Sequence, residues 1–268
     1  MKINRRKFIK TAGLASIAGL AGKEALSALV ASDSADVITP GSFDRLKGLQ
    51  NPLKASRWAM VVDIKKCENQ HGCTKCIDAC HSIHNVPDFD NRKDKIKWIW
   101  KEPFEHAFLE EENKFQESDL LHSTPLLFCN HCDNPPCVSV CPTKATWKRE
   151  DGVVMMDWHR CIGCRYCMAA CPYGSRSFNW RDPRPFIKDI KEDFPTRMRG
   201  VVEKCTFCEE RLALGLMPAC VEACDVEALL FGDLEEPESA IRQILNDNFS
   251  IRRKPGLGTQ PQIYYLIS

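Results

Sequence analysis

The stretch CIGCRYCMAACP, residues 161–172, decides how this chain is read. Cys161, Cys164 and Cys167 stand two residues apart, Cys171 follows after three, and Pro172 closes the run. The interval from Cys167 to Cys171 fits one helical turn, with an apolar residue after the first cysteine and a small one before the last. The same closing unit recurs as CIDAC (76–80), CVSVC (137–141) and CVEAC (220–224). The 16 cysteines therefore divide into four groups of four, with none left over. They are Cys67, Cys73, Cys76, Cys80; Cys129, Cys132, Cys137, Cys141; Cys161, Cys164, Cys167, Cys171; and Cys205, Cys208, Cys220, Cys224.

The flanks repeat as well. Apolar runs precede each group at 59–64, 125–128, 153–156 and 201–202, and strand-like runs follow at 143–147, 175–180 and 228–231. Asp151-Gly152 between two such runs is a two-residue hairpin signal. Asp63 and Asp157 stand four residues before Cys67 and Cys161, reinforcing an internal repeat. The unit is strand, cysteine loop, short helix, strand.

Such a density of thiols reads as ligands, because a chain of 268 residues needs no disulfides to hold its core. The C-x2-C-x2-C-x3-C-P run is that of bacterial iron–sulfur proteins, in which three thiolates bind one [4Fe–4S] cube and the fourth reaches its neighbour. Three closely spaced cysteines in a tight loop suit three irons of one cube, while the helix carries the fourth thiol away. The other groups widen one gap, between Cys67 and Cys73, Cys132 and Cys137, or Cys208 and Cys220. All-cysteine zinc sites are the competing reading, but zinc ribbons do not repeat a third cysteine at this spacing. Disulfides fit the pattern less well still, and the C-x3-C-x2-C signature of radical enzymes is absent.

The N-terminus carries Lys2, Arg5, Arg6, Lys7 and Lys10, then the uncharged run AGLASIAGLAG (12–22). That run is too short to span a membrane and suits the apolar part of a signal peptide. The Arg5-Arg6 pair resembles the twin-arginine export signal, with cleavage expected between Ser27 and Ala35. That route exports folded proteins with cofactors inserted, so thiolates would enter an oxidising compartment already occupied. The formal net charge of +1 offers no basic footprint for nucleic acid. Removing residues 1–32 leaves 31 basic against 35 acidic residues, a net charge of −4.

The stretches CNHCDNPPCVSVCPTKA (129–145), REDGVVMMDWHRCIGCRYCMAACPYGSRSFNWRDPRP (149–185) and VVEKCTFCEERLALGLMPACVEAC (201–224) resemble the four-cluster iron–sulfur subunits of the DMSO reductase and polysulfide reductase superfamily. CENQHGCTKCIDACHSIHNVP (67–87), with a signal on the chain itself, narrows the resemblance to the exported ferredoxin-like subunits of sulfite-reduction-associated membrane complexes. The likeness is strong over 57–235 and continues through 252–261.

The resemblance implies an α+β fold of tandem bacterial-type 2[4Fe–4S] ferredoxin-like domains, related by a pseudo-twofold and carrying loop insertions. The chain would divide into a signal (1–32), a linker (33–56), the double ferredoxin-like domain (57–235, with a charged insertion at 88–123) and a C-terminal extension (236–268). Four [4Fe–4S] clusters are implied, with crossed ligands. One takes Cys67, Cys73, Cys76 and Cys224, and its neighbour Cys80, Cys205, Cys208 and Cys220. The inner pair takes Cys129, Cys132, Cys137 with Cys171, and Cys141 with Cys161, Cys164, Cys167. The implied role is a periplasmic electron relay between an integral-membrane quinol-interacting subunit of the polysulfide-reductase type and a multihaem cytochrome c, in sulfur or sulfite metabolism. No nucleic acid, small-molecule substrate or catalytic residue of its own is expected. The small subunit of a molybdenum oxidoreductase is the alternative, although such subunits usually travel on their partner's signal. His81 and Asp225 stand where proline follows Cys141 and Cys171, and with the long Cys67–Cys73 loop they mark the outer clusters as departures.

His71, His81, His84, His131 and His159 lie in or beside cysteine loops, and hydrogen bonding to those loops is their expected work. Core packing is expected of the tryptophans. The 88–123 insertion reads either as a solvated face or as a docking loop. No Walker A, G-x-S-x-G or H-E-x-x-H motif is present, and Gly256-Leu257-Gly258 lacks the strand and helix of a dinucleotide fingerprint.

Overall fold

A computed structural model describes residues 51–111 and 118–267. The expected signal and most of the expected linker lie outside the described residues. In chain order the elements are β1 (Trp58–Asp63), α1 (Ile64–Glu68), α2 (Lys75–Ile83), β2 (Ile99–Lys101), α3 (Phe104–Ala107), α4 (Ser118–Leu121), β3 (Leu126–Phe128), α5 (Pro136–Ser139), β4 (Thr146–Lys148) and β5 (Val154–Met156). There follow α6 (Tyr166–Ala170), β6 (Ser177–Phe178), β7 (Val202–Glu203), α7 (Glu209–Ala213), α8 (Ala219–Glu222), β8 (Leu229–Asp233), α9 (Ala240–Asp247), β9 (Ser250–Ile251) and β10 (Ile263–Leu266). This mixture of short helices and small sheets is an α+β arrangement.

The repeat in the cysteines reappears as a repeat in strand pairing. The strand after the first group, β2, pairs antiparallel with β3, which precedes the second. In the same way β4 pairs with β5, and β6 with β7. The strand after the last group, β8, then closes on β1, which precedes the first. Each group therefore sits between two hydrogen-bonded ladders, and the order runs round on itself.

Local chemistry explains how the chain enters these loops. The Asp63 carboxylate accepts the Lys66 N–H at 2.8 Å and caps α1. Asp157 accepts the N–H of His159 at 2.8 Å and of Arg160 at 3.3 Å, turning the chain toward Cys161. The repeated aspartates are thus satisfied turn and cap residues. Gly152, at φ 84°, makes the β4–β5 turn, and Thr146 stands opposite Met156 in its ladder.

The C-terminal extension supplies a central strand. β10 runs parallel to β1 on the edge that β8 leaves free, with Met60 opposite Ile263 and Asp63 opposite Leu266, and β9 pairs beyond it. Ile263 and Tyr265 are fully buried, so apolar burial holds the strand in place. The 88–123 insertion fits neither expectation wholly. It buries Phe89, Ile96, Trp98, Ile99, Phe104, Phe108 and Leu120 in the main core beside Met60 and Val62 of β1. Its charged residues leave the apolar ones free to pack inward, and its acidic stretch lies mostly outside the described residues. A second, smaller core of Ala145, Val154, Met156 and Val202 packs around Cys137 and Cys167. No helix among the described residues is long and apolar enough to cross a membrane.

Candidate metal centres

The cysteines approach one another across groups. Cys67 at the end of α1, Cys73 in its loop, Cys76 on α2 and Cys224 beyond α8 line one cavity of about 300 Å³. Burial pushes the Cys76 thiol up to about 12, and the charges of Cys67, Cys224 and Cys73 push the same way. One turn further along α2, Cys80 faces Cys208, Cys205 and Cys220. Burial and then those three neighbours raise its thiol well above the ordinary range. The pair Cys76 and Cys80 thus divides between two thiol sets, because α2 points them to opposite ends of one turn.

The inner groups show a similar division. Burial pushes Cys132 up to about 12, with Cys129, Cys137 and Cys171 adding to it and the Thr259 hydroxyl opposing. Cys171 is raised by burial and then chiefly by Cys129. Cys141, Cys161 and Cys167 pack together in the smaller core, with Cys137 against them. Cys164 of the same loop is exposed. Burial acts against ionisation of Cys141, but N–H groups of Thr146, Ala145 and Thr143 and the Thr143 hydroxyl outweigh it and hold the thiol below its usual range.

The donor set fits an iron–sulfur centre. Burial and the neighbouring sulfurs act together against ionisation of bare Cys76, Cys80 and Cys132. A cluster of irons supplies the positive charge that lets all of a set ionise together. No disulfide links any of the 16 cysteines. A wider depression of about 800 Å³, lined by 53–56 and 148–151, contains no thiol.

The histidines surround the thiols rather than replace them. His84, almost wholly buried, sets Nδ1 2.7 Å from the Cys80 carbonyl and Nε2 2.9 Å from the Glu210 carboxylate. His84, Cys208 and Glu210 bring one ligand atom each within 4.8 Å of one another, but both ring nitrogens already face oxygen atoms. His131 accepts the Val154 N–H at 3.0 Å, and its ring stacks on Phe207 at 3.7 Å. His159 is exposed beside Asp157. Trp58 and Trp98 are core residues, whereas Trp147 and Trp180 are exposed.

Arg176, Arg197, Lys204 and Arg253 are buried cations that the sequence did not single out. Arg176 is 4% exposed and Lys204 0%, and no carboxylate among the described residues pairs with either. Arg176 donates to Cys137 Sγ at 3.1 Å and to Thr146 Oγ1 at 2.8 Å. Lys204 donates to the carbonyls of Val154 and Cys205. The available signal was a lone basic residue inside a strand-like run, at 175–180 and just before Cys205.

These thiol sets on short helices, joined by small antiparallel ladders, define an iron–sulfur protein of the dicluster type. The description "4Fe-4S dicluster domain" matches the chain twice, over residues 124–184 and 160–228. An archaeal relative, the Hdr-like menaquinol oxidoreductase iron-sulfur subunit 1 of Archaeoglobus fulgidus, is 37% identical over 98% of this chain and 97% of its own length. The menaquinone reductase iron-sulfur cluster-binding subunit of Nitratidesulfovibrio vulgaris is 37% identical over 78% of this chain and 88% of its own. A protein of Halobacterium salinarum named for the iron-sulfur subunit of dimethyl sulfoxide reductase is 38% identical over 79% of each chain. The chain belongs to this family of [4Fe–4S] iron–sulfur subunits.

Proposed function

We propose that this protein is the electron-relay subunit of an exported, membrane-bound oxidoreductase complex and carries four [4Fe–4S] clusters. Their ligands are Cys67, Cys73, Cys76 and Cys224; Cys80, Cys205, Cys208 and Cys220; Cys129, Cys132, Cys137 and Cys171; and Cys141, Cys161, Cys164 and Cys167. The clusters supply one-electron transfer when bound. The chain's own residues hold them in order and set the environment of each sulfur.

The observation that carries this reading is the division of neighbouring thiols, Cys76 and Cys80 on one helix, between two converging sets. Relatives named for menaquinol and menaquinone chemistry support a quinone-linked complex. The partners in this reading are an integral-membrane quinol-interacting subunit and a multihaem cytochrome c. Within it, the chain is the DsrO-like subunit of a sulfite-reduction-associated complex of the DsrMKJOP type, exported by Arg5-Arg6 to the periplasm. A second reading, the small subunit of a molybdenum reductase, is favoured by the relative named for dimethyl sulfoxide reductase.

The test is iron and acid-labile sulfide per chain in anaerobically matured protein, each expected at about sixteen, four to a cube. A value near twelve removes one cluster, and zinc with little iron ends the reading. Identification of the proteins that co-purify from membranes separates the quinone–cytochrome complex from the molybdenum enzyme.

A further inference from the structure

Arg176 occupies an unusual place for a cation. Its guanidinium remains charged under any ordinary condition, and burying such a group without an anion is strongly unfavourable. Yet Arg176 is 4% exposed and has no carboxylate partner among the described residues. Its Nη2 donates to Cys137 Sγ at 3.1 Å and to Thr146 Oγ1 at 2.8 Å, its Nη1 lies 3.6 Å from Met156 Sδ, and its Nε is buried with no acceptor. Arg197 shows the usual solution, since it is equally buried but paired with Glu203 at 2.6 Å.

What surrounds Arg176 is sulfur from two thiol sets. Cys137 stands with Cys129, Cys132 and Cys171, while Cys167 stands with Cys161 and Cys141. The charges of Cys137, Cys167 and Cys129 all favour the charged guanidinium. The Thr146 hydroxyl donates to the Met155 carbonyl at 2.6 Å, which leaves its lone pairs to accept from Arg176 Nη2 and hold the guanidinium in position. Lys204 and Arg253, also buried, rest on backbone carbonyls instead of sulfur.

We infer that Arg176 is a positioning residue shared by the two inner clusters, raising the reduction potential of both relative to the outer pair. The inference rests on the four-cluster ligation proposed above. Each cube gains one electron on reduction and no proton, so its negative charge grows by one. A fixed cation and an N–H···S bond stabilise that more negative form preferentially. Arg176 keeps its proton throughout and exchanges no electrons.

The experiment is a redox titration followed by electron paramagnetic resonance, on the full chain matured anaerobically, with Cys129→Ala and Cys161→Ala identifying the two inner signals. In Arg176→Met both inner clusters should become harder to reduce, with the reduced-to-oxidised ratio at a fixed potential falling about tenfold, or 59 mV for one electron. The outer pair should not move. Arg176→Lys keeps the charge on a shorter side chain whose single nitrogen cannot also reach Met156, and should fall between wild type and Arg176→Met. Inner potentials unchanged in Arg176→Met at full iron content would overturn the assignment. So would a shift common to all four clusters, which marks a general structural effect. If Arg176→Met does not load, Arg176→Gln decides, because it keeps an N–H donor without the charge, and unchanged inner potentials there exclude the cation as their determinant. Wild-type protein without two distinct inner signals would overturn the ligation itself, and the assignment of Arg176 with it.

Discussion

Gly163, inside the cysteine loop 161–167, offers a perturbation whose size follows from the geometry. It lies at φ 70°, immediately before Cys164. A Cβ built there would fall closer than 3.0 Å to the Gly200 carbonyl oxygen and 3.2 Å from Phe178 Cε2. Gly174 is a natural control, with φ 64° and nothing within 4 Å of an added Cβ. For an L-residue the left-handed backbone alone costs about 1–2 kcal/mol, and this is all that Gly174→Ala should incur. Gly163→Ala adds an overlap of about 1–3 kcal/mol that only backbone movement relieves. The total is about 2–5 kcal/mol, equivalent to a factor of about 30 to several thousand in the equilibrium for opening the loop.

The assay is bleaching of visible cluster absorbance by an iron chelator under anaerobic conditions, where iron release requires the loop to open. Gly163→Ala should bleach fastest, Gly174→Ala more slowly, and wild type slowest. The fast phase should remove the signal that Cys161→Ala also lacks. Equal rates for the two alanine variants would refute the reasoning, because they would show that the Gly200 carbonyl yields at no cost.

Three further outcomes are expected. Arg197→Met strands the Glu203 carboxylate, which is fully buried and otherwise held by Trp98 Nε1 at 3.0 Å and Asn179; the loss should be about 3–5 kcal/mol in denaturant unfolding, partly recovered by adding Glu203→Gln. Cys171→Ala should abolish the signal that Cys129→Ala abolishes and spare the one lost in Cys161→Ala; the reverse result would mean that each group closes its own cluster. Replacing Arg5 and Arg6 with lysines preserves charge and should leave cluster-loaded precursor in the cytoplasm, as fractionation would show, whereas a Sec signal would tolerate the change.

The parts of the fold legible in the sequence were those governed by near neighbours. The apolar run 59–64 became β1 (Trp58–Asp63), Asp151-Gly152 became the β4–β5 turn, and each C-x3-C unit lies on or at the end of a short helix. All of these depend on spacings of a few residues, where periodicity and turn chemistry act directly. What escaped depends on partners far along the chain. Nothing local in IYYL (263–266) announces that it will lie parallel to β1, some two hundred residues away. The charged look of 88–123 concealed Trp98 and Phe108, because composition averages over faces that the fold separates. Arg176 escaped for a related reason: a basic residue reads as surface until the structure places sulfur around it.

The left-handed residues of the cysteine loops show how one backbone solution was kept under different side chains. Gly72, His131, Gly163 and Phe207 each precede the second cysteine of a group, and all four have positive φ, from 40° to 72°. Glycine meets that requirement without strain in the first and third groups. Histidine and phenylalanine carry a steric cost of about 1–2 kcal/mol apiece, and something must offset it. The two rings stack on each other, 3.7 Å between centroids and 15° from parallel, in an environment where both are buried. A ring pair contributes about 0.5–1.5 kcal/mol beyond the area it buries, and removing two aromatic faces from water contributes further. His131 also accepts the Val154 N–H, tying this contact to β5 and so to the approach to the third group. The strain in the second and fourth groups is therefore held by a contact between those same groups. Such a contact ties the Cys129–Cys132 loop to the Cys205–Cys208 loop, so that each offsets the strain of the other.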